Sequence, residues 1–478
     1  ASRKWKNNKS PEEVWARLYV YISGLNKNQV NLCVDKPLAE LKAIFKENNI
    51  VYQQNKVSDT DTLNSVLKSG VAEKNIKTEY KKELALLCMI GGYDSSNSND
   101  KKIIAKAFNE DYETLQNKIQ SICNSDGEDL KLKNAIWKVI DPKLTIRKLS
   151  NYIYDSDVEN FKKIYLEVLS EVDPALDLPV DKRYMASIYG KKRKYSQSLR
   201  NGVANGMAMI ANNQDMFKQC SVLKIDGIST STIAQLLKDY KNSRMWASIE
   251  EEASLIAQTA PKEFLKIFGK TLLISKNNPF RLLSEEDRGD VFFEKDYMSG
   301  LRWALADLAW NEETFSQACL ALGKLSTYEP ARSDQQNRAL ETILYTILPW
   351  QPQTLANIEV RYRLVDKIVK KHRKNGRKLL KNLLPNVTQV SVERQIPKWN
   401  NSLFNKPISK SIKIQEFWDQ SSYYARLFIE TAKSTEEMID AIRSSEYLTD
   451  DAFTNLIEKI NKKIKSVDDK EKRIIWNN

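Results

Sequence analysis

The sequence predicts a mainly α-helical fold, in which a small module of three helices and a β-hairpin precedes a long series of paired helices. Glycine (14) and proline (13) are scarce among the 478 residues, so few tight turns are encoded. Many segments repeat apolar residues at i, i+3 and i+4, which is the spacing of one helix face. One stretch, residues 130–140, reads as strand with a turn signal before it.

Residues 1–79 are predicted to be a leading helical segment. Ser10 and Pro11 have the order of an N-cap and a first helical residue, and acidic residues fill the turn that follows. A second helix is predicted from near Pro37. The polar composition of residues 57–80 predicts a loop between this segment and the next.

Residues 80–143 have the element order of a winged-helix module. The first helix is predicted to end at Gly91, the second to begin near Asp100, and the third to begin near Asp111. A strand-like segment, residues 130–140, then follows a turn signal and is taken as part of a hairpin. Three short helices and a hairpin, in this order, are typical of a winged helix.

The third helix of this module lacks the charges that reading DNA requires. A DNA-binding winged helix presents basic side chains from that helix to the groove. Here it carries Asp111 and Glu113, with Lys118 as its single basic residue. The amino-acid sequence therefore favours a structural role for the module over recognition of a DNA sequence.

Residues 144–478 are predicted to form an α-solenoid of helical hairpins, of the tetratricopeptide or HEAT type. Helix-stop signals separate amphipathic segments into pairs of roughly 40–55 residues without strict self-similarity. In residues 297–324, Leu301, Leu305 and Leu308 follow the helical apolar spacing. A compact helical bundle is the alternative. The tryptophans at positions 246, 303 and 310 are predicted to lie in the core.

The pair Gly202 and Gly206 forms a G-x-x-x-G pattern on a predicted amphipathic helix. Small residues at this spacing let two helices approach closely. The pattern therefore predicts a tight helix crossing in preference to a ligand-binding loop.

The composition argues against an active site within this chain. The one histidine, His372, excludes a Ser-His-Asp triad and multi-histidine metal sites. No G-x-x-x-x-G-K-[ST], G-x-G-x-x-G or H-E-x-x-H motif occurs. We therefore expect a non-enzymatic chain with no cofactor or metal of its own.

The cysteines and the hydropathy pattern indicate the cellular compartment in which the protein is expected. The five cysteines are dispersed and show no C-x-x-C spacing, which is typical of reduced thiols in a cytoplasmic protein. No apolar run reaches the roughly 18 residues that a membrane-spanning helix needs. We therefore expect a cytoplasmic protein without a membrane partner.

Positive charge is concentrated in one stretch. Residues 359–382 hold ten cationic and two acidic side chains, or +8 of the net charge of +13. Such a stretch suits an acidic protein surface or a phosphate backbone. A second cluster, residues 191–194, is shorter. The expected partner-binding residues are Trp350, Arg361, Tyr362, Arg363, Lys367, Lys370, Lys371 and Lys374.

Several phrases in a fixed order resemble one bacterial family. They include RMWASIEEEASLIAQTAPKEFLKIF (244–268) and GLRWALADLAWNEETFSQACLALGKLS (300–326), and further ones lie at 171–211, 337–369 and 375–385. Together they resemble the region downstream of the nucleotide-binding module in large STAND ATPases, including the antiphage AVAST systems. In that family an effector, a P-loop ATPase, a winged helix and a helical-repeat sensor follow one another.

The resemblance implies that this chain is an internal fragment, covering the winged helix and the sensor region. It implies a partner in a phage protein such as the large terminase or the portal, with ATP, Mg²⁺ and self-association belonging to the intact protein. Binding of the partner would relay activation to an ATPase and an effector outside this chain. Two alternatives stay open: a basic helical regulator that binds nucleic acid, and a plain helical scaffold or oligomerisation segment.

Overall fold

The structure is a computed structural model that describes residues 79–125, 129–286, 296–329, 338–385, 396–399, 412–466 and 468–476. The leading segment predicted for residues 1–79 lies outside these ranges except for Glu79. The described chain is mainly helical with one small sheet, so the predicted fold class is confirmed at that level. Among its helices, none combines the length and the apolar composition that crossing a bilayer requires.

The first part of the described chain, residues 80–140, is called the sheet module below. Its three-stranded antiparallel sheet has the order β1–β3–β2. The three helices and the hairpin lie where the sequence predicts them, whereas β1 was not predicted because three residues are too few to show a period. The elements are α1 (Lys81–Ile90), β1 (Gly92–Asp94), α2 (Ser98–Phe108), α3 (Tyr112–Ser125), β2 (Leu130–Lys133) and β3 (Ile136–Val139).

The hairpin between β2 and β3 turns through two residues in the left-handed region. Asn134 has φ 52° and Ala135 has φ 64°, as a type I′ turn requires, and this turn matches the twist of antiparallel strands. Trp137 and Val139 of β3 are buried, as is Leu130 of β2. The hairpin thus closes the sheet over the apolar sides of the module's helices.

After the sheet module the described chain is mainly helical. Its α-helices are α4 (Pro142–Leu149), α5 (Asp155–Leu169), α6 (Gln197–Asn212), α7 (Val222–Leu236), α8 (Ser243–Ser248), α9 (Ala253–Thr259), α10 (Pro261–Leu272), α11 (Pro279–Glu286), α12 (Ser299–Ala309), α13 (Glu312–Leu325), α14 (Ala339–Ile347), α15 (Ile358–Lys371), α16 (Arg373–Asn382), α17 (Ile414–Glu430), α18 (Thr435–Arg443), α19 (Asp450–Ile464) and α20 (Asp469–Trp476). These helices are called the helical array below.

Most of the array packs as two rows of helices. In one row each helix contacts the next in the order α6, α9, α12, α14, α16 and α17. In the other the order is α5, α7, α10, α13 and α15, and helices of the two rows contact each other across the core. Because contacts run between successive helices along each row, the array is built by stacking.

The tryptophans of the array test the predicted core. Trp246 is fully buried, and its ring meets Phe264, Phe268 and Phe280 edge-on or tilted. Trp310 is also buried, but the prediction is wrong for Trp303, which is 54% exposed. Its helix α12 buries positions 301, 304, 305 and 308, and position 303 points away from that face.

The sheet module joins the array through the glycine pair. A Cβ atom at Gly206 would lie 1.7 Å from the carbonyl oxygen of Met89, and one at Gly202 would lie 2.2 Å from that of Ile90. No larger side chain fits at either position, so α6 crosses α1 as closely as the G-x-x-x-G pattern predicts. The module and the array are therefore in direct backbone contact.

Candidate partner-binding surface

The most basic stretch of the sequence forms a corner between two helices. Helix α15 ends at Lys371 and α16 begins at Arg373, so the chain turns at His372. Gly376 lies within α16 and does not end the helix. A Cβ there would approach the Cα of Val369 to 2.6 Å, so the glycine lets α16 pack closely on α15.

One expected contact residue lies inside the protein. Arg361 is only 4% exposed. It donates a hydrogen bond to Oε1 of Gln420 at 2.8 Å and forms an ion pair with Glu416 at 3.1 Å. Both partners belong to α17, so Arg361 fastens α15 to α17 and the expectation that it is exposed is wrong.

Three further cations of this stretch also pair internally. Arg373 and Arg377 both face Glu437, and Lys381 pairs with Asp440. Burial disfavours ionisation of Glu437, but hydrogen bonds from Arg373 and from backbone amides at the start of α18 outweigh it and lower its pKa to about 2. These pairs attach α16 to α18.

The remaining cations of the stretch point outward and are called the basic corner below. None of them forms an ion pair with a carboxylate of the described residues. Most follow one another at intervals of three or four residues, which is the spacing of a single helix face. Its members are Arg363, Lys367, Lys370, Lys371, Lys374 and Lys378.

The structure thus changes which residues belong to the predicted binding site. Five of the expected cations, those at positions 363, 367, 370, 371 and 374, are exposed on the basic corner. Lys378 was missing from the expected set, although its position four residues after Lys374 was a usable signal. Arg361 drops out of the set because α17 covers it.

The two expected aromatic residues are half-buried against α17. Tyr362 stacks on Tyr423 with ring centroids 3.8 Å apart, and Trp350 meets Phe417 edge-on at 6.4 Å. The hydroxyl group of Tyr423 donates a hydrogen bond to Asp366. Because one face of Tyr362 is occupied, the basic corner offers charge in preference to free aromatic surface.

His372 lies beside Lys371 of the basic corner and Lys324 of α13. Its pKa lies below the usual 6.5, chiefly because of burial and in addition because Lys324 and Lys371 are positively charged. The two lysines thus place positive charge next to the imidazole.

Half of the shorter cluster, residues 191–194, is paired with carboxylates of the chain itself. Lys191 pairs with Asp177 at 3.0 Å, and Arg193 pairs with Asp173 at 3.0 Å. These two pairs hold the connection between α5 and α6. Lys194 lies over the ring of Tyr195, and neither it nor Lys192 forms an ion pair among the described residues.

The third helix of the sheet module shows little positive charge to solvent. Lys118 of α3 is held between Glu110 at 2.9 Å and Glu83 at 3.4 Å. The exposed positions of that helix include Glu113, and Asp111 immediately precedes it. This arrangement supports the structural interpretation of the module and gives no phosphate-binding surface on α3.

Within the described residues, no group of three or more His, Cys, Asp or Glu side chains could hold a metal ion. Cys88 is buried, and burial, followed by the charges of Asp129 and Asp141, raises its pKa well above the usual value. Its thiol therefore stays protonated and unreactive at neutral pH.

Comparisons of the chain with protein-family models, with curated proteins and with solved structures find no match.

Proposed function

We propose that this chain is the non-catalytic sensor region of a STAND-type antiphage ATPase in the bacterial cytoplasm. It binds a phage protein and relays activation to an ATPase and an effector outside this chain. Support comes from the phrases at 171–211, 244–268 and 300–326, which resemble that family in order and position. ATP and Mg²⁺ act in the intact protein, and this chain supplies the recognition surface.

The observation that carries the proposal is a winged-helix element order fused to stacked helix pairs. The order of three helices and a hairpin, with strands arranged β1–β3–β2, supports a winged-helix assignment for the sheet module. The two rows of the array are the packing expected of an α-solenoid. Winged helix followed by helical-repeat sensor is the succession that the resemblance implies.

A stacked array suits recognition of a protein because its surface is long. Each added helix pair extends the surface without altering the core of its neighbours. Affinity then depends on a well-packed, desolvated patch within a large contact area, so no reactive group is needed. The fixed crossing of α1 and α6 at Gly202 and Gly206 gives the array a direct mechanical link to the winged-helix module.

The junction is reinforced by polar contacts, which makes it a route for relaying binding. Asp100 of α2 is buried and accepts hydrogen bonds from the backbone amide and the hydroxyl group of Ser196, at the start of α6. Lys82 of α1 pairs with Asp157 of α5 at 2.8 Å. A shift of α5 and α6 would therefore move the module with them.

The basic corner is the part of the array that we assign to the partner. Its six cations lack carboxylate partners among the described residues, whereas neighbouring arginines are paired. An acidic patch on the large terminase or the portal would neutralise them, and such complementarity speeds association and selects the partner. Trp350, which follows α14, and Tyr362 of α15 would extend this contact with the partner.

The proposal is tested by titrating the purified chain with a phage large terminase and, separately, with a phage portal in a calorimeter. One of the two is expected to bind with a Kd of about 1 μM or tighter, as for a specific interface of standard size. A panel of terminases and portals from several phages, none of which binds, would remove the sensor function.

A second candidate, nucleic-acid binding, is favoured by one observation, the unpaired charge of the basic corner. Duplex DNA bound there would release counterions, so the logarithm of the affinity would fall with the logarithm of salt by about 0.9 per neutralised phosphate. Tight, strongly salt-dependent binding of a random 20-base-pair duplex without binding of any phage protein would favour this candidate. The scaffold alternative predicts neither kind of binding.

A further inference from the structure

A short segment near the C-terminal end of the array docks far from its neighbours in sequence. Residues 396–399 lie between α16 and α17, yet Trp399 is only 1% exposed because it packs against α6 and α9. Its partners in those helices precede it by 194 and 141 residues. The segment therefore docks at the end of the row that begins with α6.

Trp399 is held by hydrogen bonds at both its backbone and its ring. Its backbone amide donates to Oε1 of Gln258, and its indole Nε1–H donates to Oδ1 of Asn205, each at 3.0 Å. The same Asn205 oxygen accepts a hydrogen bond from Nζ of Lys398 at 2.9 Å. Two adjacent residues of the segment are thus recognised by one side chain of α6.

Two ammonium groups complete the environment of the indole ring. Nζ of Lys398 lies 4.9 Å from the ring centroid, and Nζ of Lys143 lies 5.8 Å from it. Both distances fall within the range of a cation–π interaction, for which tryptophan is the best acceptor. Lys143 belongs to α4, which packs on α1, so the ring also touches the helix that follows the sheet module.

The recognising groups are fixed by the array itself. Gln258 is buried, and its Nε2 donates to Ser254 at 3.0 Å and to Asp307 of α12 at 3.1 Å. These bonds orient the amide so that Oε1 faces the segment. Asn205 stands between the two glycines that set the α1–α6 crossing. The acceptors would therefore keep their places if the segment left.

We infer that Asn205, Gln258 and Lys143 form a recognition site for a tryptophan-bearing peptide segment. In this chain the site is filled in cis by residues 396–399, which act as a releasable clasp. A partner segment with tryptophan preceded by a cation would compete for the same groups. This inference does not rest on the sensor function.

Release is expected because the segment is held by few groups. Buried and exposed residues alternate in the segment: Pro397 and Trp399 are buried, whereas Ile396 and Lys398 are exposed. Among residues 396–399, two buried side chains make these contacts, and a short stretch with few buried side chains opens at lower free energy than a helix packed on several neighbours. Opening would uncover the site beside the junction of the sheet module and the array.

The test uses the full chain and a fluorescein-labelled peptide of residues 393–402. The peptide is expected to bind the Trp399→Ala chain at least tenfold more tightly than the wild-type chain, whose site is filled. A peptide with alanine in place of its tryptophan should not bind. The Trp303→Ala chain, which loses an exposed tryptophan, is the matched control and should behave as the wild type does. Equal binding to wild-type and Trp399→Ala chains, or binding to neither, overturns the inference.

A second measurement covers the case in which Trp399→Ala unfolds. Hydrogen exchange of the wild-type chain should show the amide of Trp399 exchanging at least 100-fold faster than the central amides of α6. Exchange as slow as that of α6 would make Trp399 an ordinary core residue and would overturn the releasable clasp.

Discussion

Two lysine-rich clusters of this chain look alike in sequence and differ in what surrounds them. Residues 191–194 turn most of their charge towards Asp173, Asp177 and the ring of Tyr195. The basic corner has no such partners among the described residues. The first cluster holds a connection together, whereas the second leaves a positive surface open to an anionic partner. A run of cations therefore indicates a binding surface only where the fold supplies no carboxylates.

Within the second stretch, most arginines and most lysines have different roles, with Arg363 an exposed exception. Arg361 and Arg377 face inward to carboxylates and carbonyl groups, and the lysines, apart from Lys381, point outward. The planar guanidinium donates several hydrogen bonds in fixed directions, which suits a buried position, whereas an ammonium group is strongly hydrated. The side-chain chemistry explains which cations stay available.

The largest effect is expected from breaking an inward pair. Arg377→Ala should lower the free energy of unfolding of the array by about 3 kcal/mol, because it removes a buried guanidinium that donates to the carbonyl group of Phe428 and is one of two arginines facing Glu437. Urea denaturation followed by circular dichroism measures this. Lys378→Ala, at the next and exposed position, should stay within about 0.5 kcal/mol of the wild type. Equal effects of the two substitutions would erase the distinction between inward and outward cations.

Glu437, which faces Arg377, makes the stability of the array depend on pH. The pKa of Glu437 is lowered from 4.5 to about 2 in the folded state, so its contribution to stability is complete above pH 4.5 and is lost as the pH falls towards 2. Glu437→Gln should cost about 2 kcal/mol at pH 7. The difference between the two chains should shrink as the pH falls below 4.5. A difference that stays constant down to pH 3 would contradict the paired state.

A smaller effect is expected in the first cluster. Arg193 donates hydrogen bonds to Asp173 and to the carbonyl group of Ser248. Arg193→Ala should lower the free energy of unfolding by about 1.5 kcal/mol, as for a charged hydrogen bond. Lys192→Ala is the control, since its side chain is exposed, and it should change stability by less than about 0.5 kcal/mol. Thermal melts of the two variants measure the difference. An unchanged melting temperature for Arg193→Ala would mean that the cations of this cluster, like those of the basic corner, are not held by the fold.

The smallest effect is a shift in one titration. Because the chain has one histidine, the imidazole signals in an NMR spectrum belong to His372 alone. Its pKa should lie below 6.5 and should rise in Lys371→Gln, since one of the charges that lower it is removed. Lys192→Gln should leave it unchanged. A wild-type pKa at or above 6.5 would show that anions already neutralise the corner.

The sequence was informative wherever a feature depended on residues close together in the chain. The helix positions of the sheet module, the strand character of residues 130–140 and the crossing at Gly206 all follow from local patterns, whereas the turn at Asn134 was not read from the sequence. The exposed lysines of the candidate site were also readable, because their spacing follows one helix face. Strand β1 was missed because it is short, and its pairing with β3 joins residues more than 40 positions apart.

Features that depend on distant residues left no local signal. Nothing around Arg361 in the sequence shows that Glu416 and Gln420 will cover it. Nothing around Trp399 indicates a partner at Asn205. The wrong prediction for Trp303 has a different cause. The side chain is large and hydrophobic, but its position lies outside the buried face of the helix.

The most direct measurement compares two charge reversals of equal size in binding to a phage large terminase or portal. Lys370→Glu, Lys371→Glu and Lys374→Glu together reverse the basic corner, and Lys131→Glu, Lys133→Glu and Lys192→Glu together reverse three exposed lysines elsewhere. Wild-type and control chains should bind the same phage protein with equal affinity, and the corner variant should bind it at least tenfold more weakly. Binding of that protein by the corner variant as tightly as by the wild type would contradict the assignment of the corner, and failure of the wild type to bind any terminase or portal tested would contradict the sensor function itself.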